Sequence, residues 1–204
     1  MADITTPFPS TPIFQAVDFK VITPTITSET NSGKKRRVGQ GVSYYTWTAK
    51  YAPMTPREAG PIIGFVRYCE GPLYSFEIIL PQISYTTAYN QPANTFVVSS
   101  NLAVGTSNCK LTGVTINSEV LGAGDFFKFD NHSKVYQAVI ACNSNGVGNA
   151  TLTFASPLVS NVSAGTKLTI TAVPFTAIVD SQEQDINVSY GGITSTEIKM
   201  REVW

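Results

Sequence analysis

The sequence predicts a mainly β protein with one α-helix, in which one β domain carries a second, small all-β domain as an insertion. Three observations predict it. Apolar residues alternate at period two in several long runs, the spacing of half-buried strands. Aromatics make up 11% of the chain, with nine Tyr and eleven Phe, and such side chains favour strands. Only one segment joins helical spacing to a helix start and a helix stop.

At 204 residues the chain has room for one large β domain or two small ones. Fourteen Lys and Arg balance fourteen Asp and Glu, so no overall field steers the protein toward nucleic acid or acidic lipid. The opening "MADITTPFPSTPIF" lacks the basic-then-apolar pattern of a signal peptide, and no apolar run is long enough to span a bilayer. Cys69, Cys109 and Cys142 lie far apart without CxxC spacing, which argues for reduced, buried thiols and against a disulfide framework or zinc site.

Residues 1–13 are rich in Pro and Thr and read as an extended arm. "IFQAVDFKVITPTI" alternates Val17, Phe19 and Val21 and reads as a strand, followed by "TNSGKKRR" as a polar, basic turn. "VGQGVSYYTWTAKYAP" is a strong strand, with Tyr45, Trp47, Ala49 and Tyr51 on one face. The helix follows. Thr55 is its N-cap, Pro56 takes the first helical position, and Glu58 completes a capping box. Ile62, Ile63, Val66 and Cys69 recur at helical spacing, Gly71 supplies the left-handed stop, and Pro61 predicts a kink or a tightened first turn. The consecutive apolar residues of "LYSFEIILP" predict a strand buried on both faces.

Beyond Pro81 the texture changes. Residues 85–171 hold short strands separated by Gly, Asn and Ser ("TFVVSS", "KLTGVTI", "DFFKFD", "SKVYQAVIA", "NATLTF", "GTKLTITA"), the pattern of a small barrel or sandwich. Long alternating strands return in "VPFTAIVDSQEQDINVSYGGITSTEIKMREVW", with Gly191 and Gly192 at the hairpin and Ile198 and Met200 on one face. The predicted domains are therefore 1–84 with 172–204, and 85–171 inserted between them.

One stretch invites a catalytic reading. "GDFFKFDNHSKVYQAV" gathers Asp125, Asp130, Ser133, Lys134 and the only histidine, His132. Yet Phe127 and Phe129 alternate before "DNHS", Val135 and Val139 after it, and those four residues are what turns favour. A Ser-His-Asp triad is a three-dimensional arrangement, neighbours in a tight turn point apart, and no G-x-S-x-G elbow is present. The stretch reads as a hairpin turn. One histidine with dispersed cysteines does not build a zinc site, and a calcium loop needs more carboxylates at tighter spacing. Glu183 and Asp185 read as a solvated face. No catalytic, cofactor-binding or metal-ligating residue is assigned. Lys34, Lys35, Arg36 and Arg37 form the one charge cluster, read as a solvated turn or as a contact for a phosphate backbone or an acidic protein. The row Tyr44, Tyr45, Trp47, Tyr51 reads as core and cross-strand pairs before it reads as a sugar site.

In chain order, "KKRRVGQG", "VSYYTWTAKYAP", "TPREAGPIIGFVRYCEG", "LYSFEIILP" and "GGITSTEIKMREVW" resemble the bacteriophage distal tail protein and minor tail protein M group. The likeness covers residues 14–81 and 172–204, while "VLGAGDFFKFDNHSKVYQAV" with "ATLTFASPL" resembles the small β domain that some of these proteins carry. The resemblance implies a tail-tube-like β-sandwich or split barrel and a structural virion protein, not an enzyme. Such proteins form a hexameric ring between the tail tube protein and the hub or baseplate protein, within reach of the tape measure protein and passing DNA. The tail assembles in the host cytoplasm, away from any membrane, which suits the missing signal peptide. No cofactor and no catalytic residue come with the resemblance. A carbohydrate-binding β-sandwich module of a tail or host-recognition apparatus, using the insertion's loops, is the alternative.

Overall fold

The computed structural model describes residues 7–39, 41–88, 96–182, 186–188 and 194–204. Along the chain the elements are β1 (Ala16–Ile22), β2 (Thr25–Glu29), β3 (Lys35–Gly39), β4 (Tyr44–Lys50), α1 (Pro56–Tyr68), β5 (Phe76–Ile78), β6 (Val97–Val98), β7 (Asn108–Thr112), β8 (Glu119–Leu121), β9 (Phe126–Phe129), β10 (Val135–Ala138), β11 (Cys142–Asn143), β12 (Asn149–Ala155), β13 (Leu168–Thr169), β14 (Phe175–Val179), β15 (Ile186–Val188) and β16 (Thr194–Glu202). Over the described residues the protein is mainly β with one helix. Two compact units divide it. The first holds the described residues of Met1–Ile22, Tyr44–Ile78 and Thr176–Val203; the second holds Thr23–Ser43, Ile79–Phe175 and Trp204. The expected insertion, residues 85–171, falls inside the Ile79–Phe175 run of the second unit.

The first unit is a sheet of order β1-β4-β16-β14-β5, with β15 pairing β16. Its centre is β4. Tyr45, Trp47, Ala49 and Tyr51 are all buried, the one-faced row that their period-two spacing predicts. Opposite them, β16 places Ile198 against Ala49 and Met200 against Trp47, and both partners are buried. On the other side β1 sets Phe19 against Trp47 and stacks its ring 5.4 Å from that of Tyr45.

The helix begins where the sequence says it should. Thr55 accepts the Glu58 amide, and the Glu58 carboxylate accepts the Thr55 amide at 2.8 Å, so both halves of the capping box are made. It runs unbroken through Pro61 and ends with Cys69 as C-cap, followed by two residues in the left-handed region, Glu70 (φ 49°) and Gly71 (φ 66°). Ala59, Ile62, Phe65, Val66 and Cys69 form its buried face, while Ile63 is half-buried.

Two local expectations need correction. "LYSFEIILP" is not buried on both faces: Phe76 and Ile78 point inward but Glu77 is exposed, because β5 is an edge strand with one face on the core. The basic run is not a turn. Lys35, Arg36 and Arg37 lie in β3, paired antiparallel with β2, and the turn is confined to residues 30–34, where Gly33 takes φ +77°. Residues 7–13 of the arm form no helix or strand, and the Phe8 ring packs 5.1 Å from Phe65 and 5.7 Å from Phe76. An aromatic ring gains about 2 kcal/mol from burial, enough to hold a proline-rich segment that forms no ladder.

Most of the second unit is a small, nearly closed barrel-like sheet. Its ladder runs β13-β9-β10-β12-β7-β6, and Val97 of β6 bridges Lys167 beside β13, completing the circuit. Val98 N–H donates to Thr166 O at 2.9 Å and Gly165 N–H to Val98 O at 2.8 Å across that seam. Closure removes the edges that a short-stranded sheet would expose. Inward positions of β7 and β12 alternate with exposed ones, and Leu111, Phe127, Phe129, Tyr136, Leu152 and Phe154 fill the interior. Cys109 and Cys142 are in that core and Cys69 is in the first unit; all three thiols are free and buried.

Candidate functional site

The polar stretch around His132 is a hairpin. β9 and β10 pair with Tyr136 opposite Phe127, and residues 130–134 turn between them. His132 Nδ1 lies 2.8 Å from Asn131 Oδ1 and Nε2 lies 2.9 Å from Tyr136 Oη. An amide oxygen only accepts, so Nδ1 carries the proton and Nε2 accepts from the phenol. Tyr136 Oη in turn accepts the Val159 N–H at 3.1 Å, and Asn131 Nδ2 donates to Asn161 O at 2.8 Å. The neutral imidazole thus completes a directed chain tying the turn to residues 159–161. Burial first, then Lys128 and Lys134, push its pKa down to about 4.

The carboxylates of the stretch are engaged elsewhere. Asp125, buried, accepts from Thr86 Oγ1 (2.7 Å), from the Thr87 amide and hydroxyl (both 2.9 Å) and from the Gly122 amide (2.8 Å). Asp130 Oδ1 accepts from Thr169 Oγ1 at 2.9 Å. Neither is a hydrogen-bond partner of His132, whose two ring nitrogens face an amide and a phenol. The arrangement suits fastening loops to the barrel, and it lacks the acid–base alignment of a nucleophilic site. Lys134 was not legible as a core residue: it is fully buried, with Nζ 4.6 Å from the centre of the Trp204 ring and 5.9 Å from that of Tyr136. A lysine in a polar turn carries no sequence signal for such a position.

Two surfaces remain. An open groove of about 990 Å³ crosses the outside of the barrel, lined by Ser99, Lys110, Thr112, Asn143, Asn145 and Thr151 among others, with no aromatic ring in its wall among the described residues. The other is the β2–β3 hairpin. Every one of its ten strand residues is exposed. Its register puts Ile26 opposite Val38 and Ser28 opposite Arg36 on one face, and Thr27 opposite Arg37 and Glu29 opposite Lys35 on the other. Strand alternation therefore splits the basic cluster. Lys35 and Arg37 share one face, where Lys35 approaches Glu29 at 3.8 Å, while Arg36 sits beside the exposed Ile26 and Val38.

Glu183, Asp185, Gly191 and Gly192 lie outside the described residues. Among the described residues no three His, Cys, Asp or Glu gather as metal ligands, and no helix is long and apolar enough to cross a membrane. A scan against protein-family models finds no match to this chain, and a search of the curated proteins finds none.

Proposed function

We propose that this chain is a structural subunit of a bacteriophage tail, six copies of which form a ring at the distal end of the tail tube. In that reading the ring joins the tube protein to the hub or baseplate protein, adjoins the tape measure protein and the path of passing DNA, and is assembled into virions in the host cytoplasm. The observation that carries it is the order of elements. A basic strand (β3), a glycine turn at Gly41 (φ +111°), an alternating aromatic strand (β4), a capped helix closed by Gly71, a short strand (β5) and a final strand pair (β14 with β16) follow one another, and the resemblance calls for that order with a final pair of long strands. The role is non-catalytic: His132, Asp125 and Asp130 act inside the barrel's own hydrogen bonds. Turnover on cell-wall and glycan substrates, compared between wild type and His132→Ala, tests this. A robust activity abolished by the substitution would overturn it.

The polar groove on the barrel favours a second reading, a carbohydrate-binding module of a tail or host-recognition apparatus. Amide, hydroxyl and ammonium groups can exchange water for sugar hydroxyls there. Depletion of the protein by host polysaccharide, lost on Asn145→Ala with Lys110→Ala, would favour this reading; no depletion would leave the ring reading alone.

A further inference from the structure

A two-stranded hairpin with no buried residue has no core of its own, and such hairpins are at best marginally stable in water. Its Ile26–Val38 pair is 52% and 63% exposed, with Arg36 on the same face. Four cations against one carboxylate, Glu29, give residues 25–39 a net charge of +3. The face that Ile26, Val38 and Arg36 make is apolar with a cation at its margin. It asks for an apolar surface bordered by carboxylates, and phosphate alone would leave the two aliphatic side chains uncovered.

The chain itself carries such a surface. After α1, Tyr68 and Leu73 are each 54% exposed, and the Tyr68 ring stacks with that of Tyr74 at 6.5 Å. Glu70 and Glu77 are exposed in the same segment, and residues 68–78 contain no Lys, Arg or His. The helix ends here as well, so its carbonyl end adds negative potential, with Arg67 in the last turn offsetting part of it. We infer that the Ile26/Val38/Arg36 face of the β2–β3 hairpin docks on the Tyr68–Leu73 surface of a second copy of this chain, with Arg36 directed to Glu70. Repeated head-to-tail around a rotation that closes, a contact between two such different patches builds a ring. The inference rests on the ring reading above. A permanent ring contact buries on the order of 2,000 Å², so the hairpin supplies one anchored part of a larger interface.

The test uses the full-length chain, with a benzophenone photo-crosslinking residue in place of Val38 and, separately, the charge swaps Arg36→Glu and Glu70→Lys. Irradiation is expected to join position 38 to residues 68–77 of another molecule, identified in isotopically mixed samples. Sedimentation is expected to show each single swap weakening self-association by about tenfold or more and the double swap recovering most of it. All sites are exposed, so melting temperatures should match wild type. Cross-links to other regions, self-association indifferent to the swaps, or a chain that stays monomeric without cross-links would each overturn the contact. Duplex DNA binding lost with Arg36→Glu and untouched by Ile26→Ser would assign the hairpin to phosphate and overturn it too. Failure here is separable from failure of the ring reading. Tails imaged with a six-copy distal ring whose hairpins touch something else remove only this contact, whereas copies along the whole tube remove the ring.

Discussion

His132 Nε2 stands 2.9 Å from the phenol oxygen of Tyr136, and Tyr136 is fully buried. Because that oxygen also accepts the Val159 N–H, its own proton is committed to the imidazole. A protonated imidazole would present a second N–H to the same oxygen. Burial, with Lys128 and Lys134 as the nearest cations, holds the pKa near 4 against 6.5 for a free histidine. Between those values the unfolded chain binds a proton that the folded barrel does not. Stability from this group is therefore complete above about pH 6.5, declines as pH falls toward 4, and is level below. Denaturant unfolding of wild type and His132→Gln from pH 7.5 to 4 should show the variant about 1 kcal/mol less stable at neutral pH, with the gap closing and then reversing in acid as the wild type alone loses stability. A gap independent of pH would contradict the lowered pKa of His132.

Asp125 supports the loop before the barrel. Its carboxylate gathers four donors from Thr86, Thr87 and Gly122. Asp125→Ala leaves donors without acceptors in a part-buried site and should cost about 3 kcal/mol. Amide exchange at Thr87 and Gly122 should quicken with it. Unchanged stability would mean that water replaces the carboxylate freely.

The helix start is tested by Thr55→Ala. Removing the hydroxyl unmakes one half of the capping box and should lower stability by about 1 kcal/mol. Thr55→Ser should restore most of it, which a loss of side-chain packing would not allow.

The barrel is expected to fold by itself. Its core cluster runs from Phe96 to Ile170, and its ladder closes between Val97 and Lys167. A fragment of residues 79–175 should show a cooperative melt and strand-type circular dichroism. Replacement of 85–171 by a short Gly/Ser linker should likewise leave a folded remainder. A disordered fragment would mean that the units share one folding transition.

What the sequence disclosed follows from the range of the forces involved. The buried row on β4, the Thr55–Glu58 box and the turn at residues 130–134 rest on neighbours in sequence, and the structure has all three. The rest depended on distant partners. Lys35, Arg36 and Arg37 read as a turn because charge suggests solvent; they form a strand because Thr25–Glu29, rich in Thr and Ile, supplies a ladder. Lys134 is covered by the Trp204 ring, seventy positions away, and no local pattern announces that. Phe8 belongs to a proline-rich run, yet Phe14, Phe65 and Phe76 surround its ring. Around His132, the turn was legible and the hydrogen-bond chain to Tyr136 and Val159 was not, since the second half comes from a different loop.

Imaging of intact phage tails at side-chain detail is the decisive test of whether this chain is the ring subunit that we propose. Six copies in a single layer at the distal end of the tube, between tube protein and hub, are expected. Copies stacked along the tube, copies confined to fibre tips, or no copies in the particle would contradict the proposal.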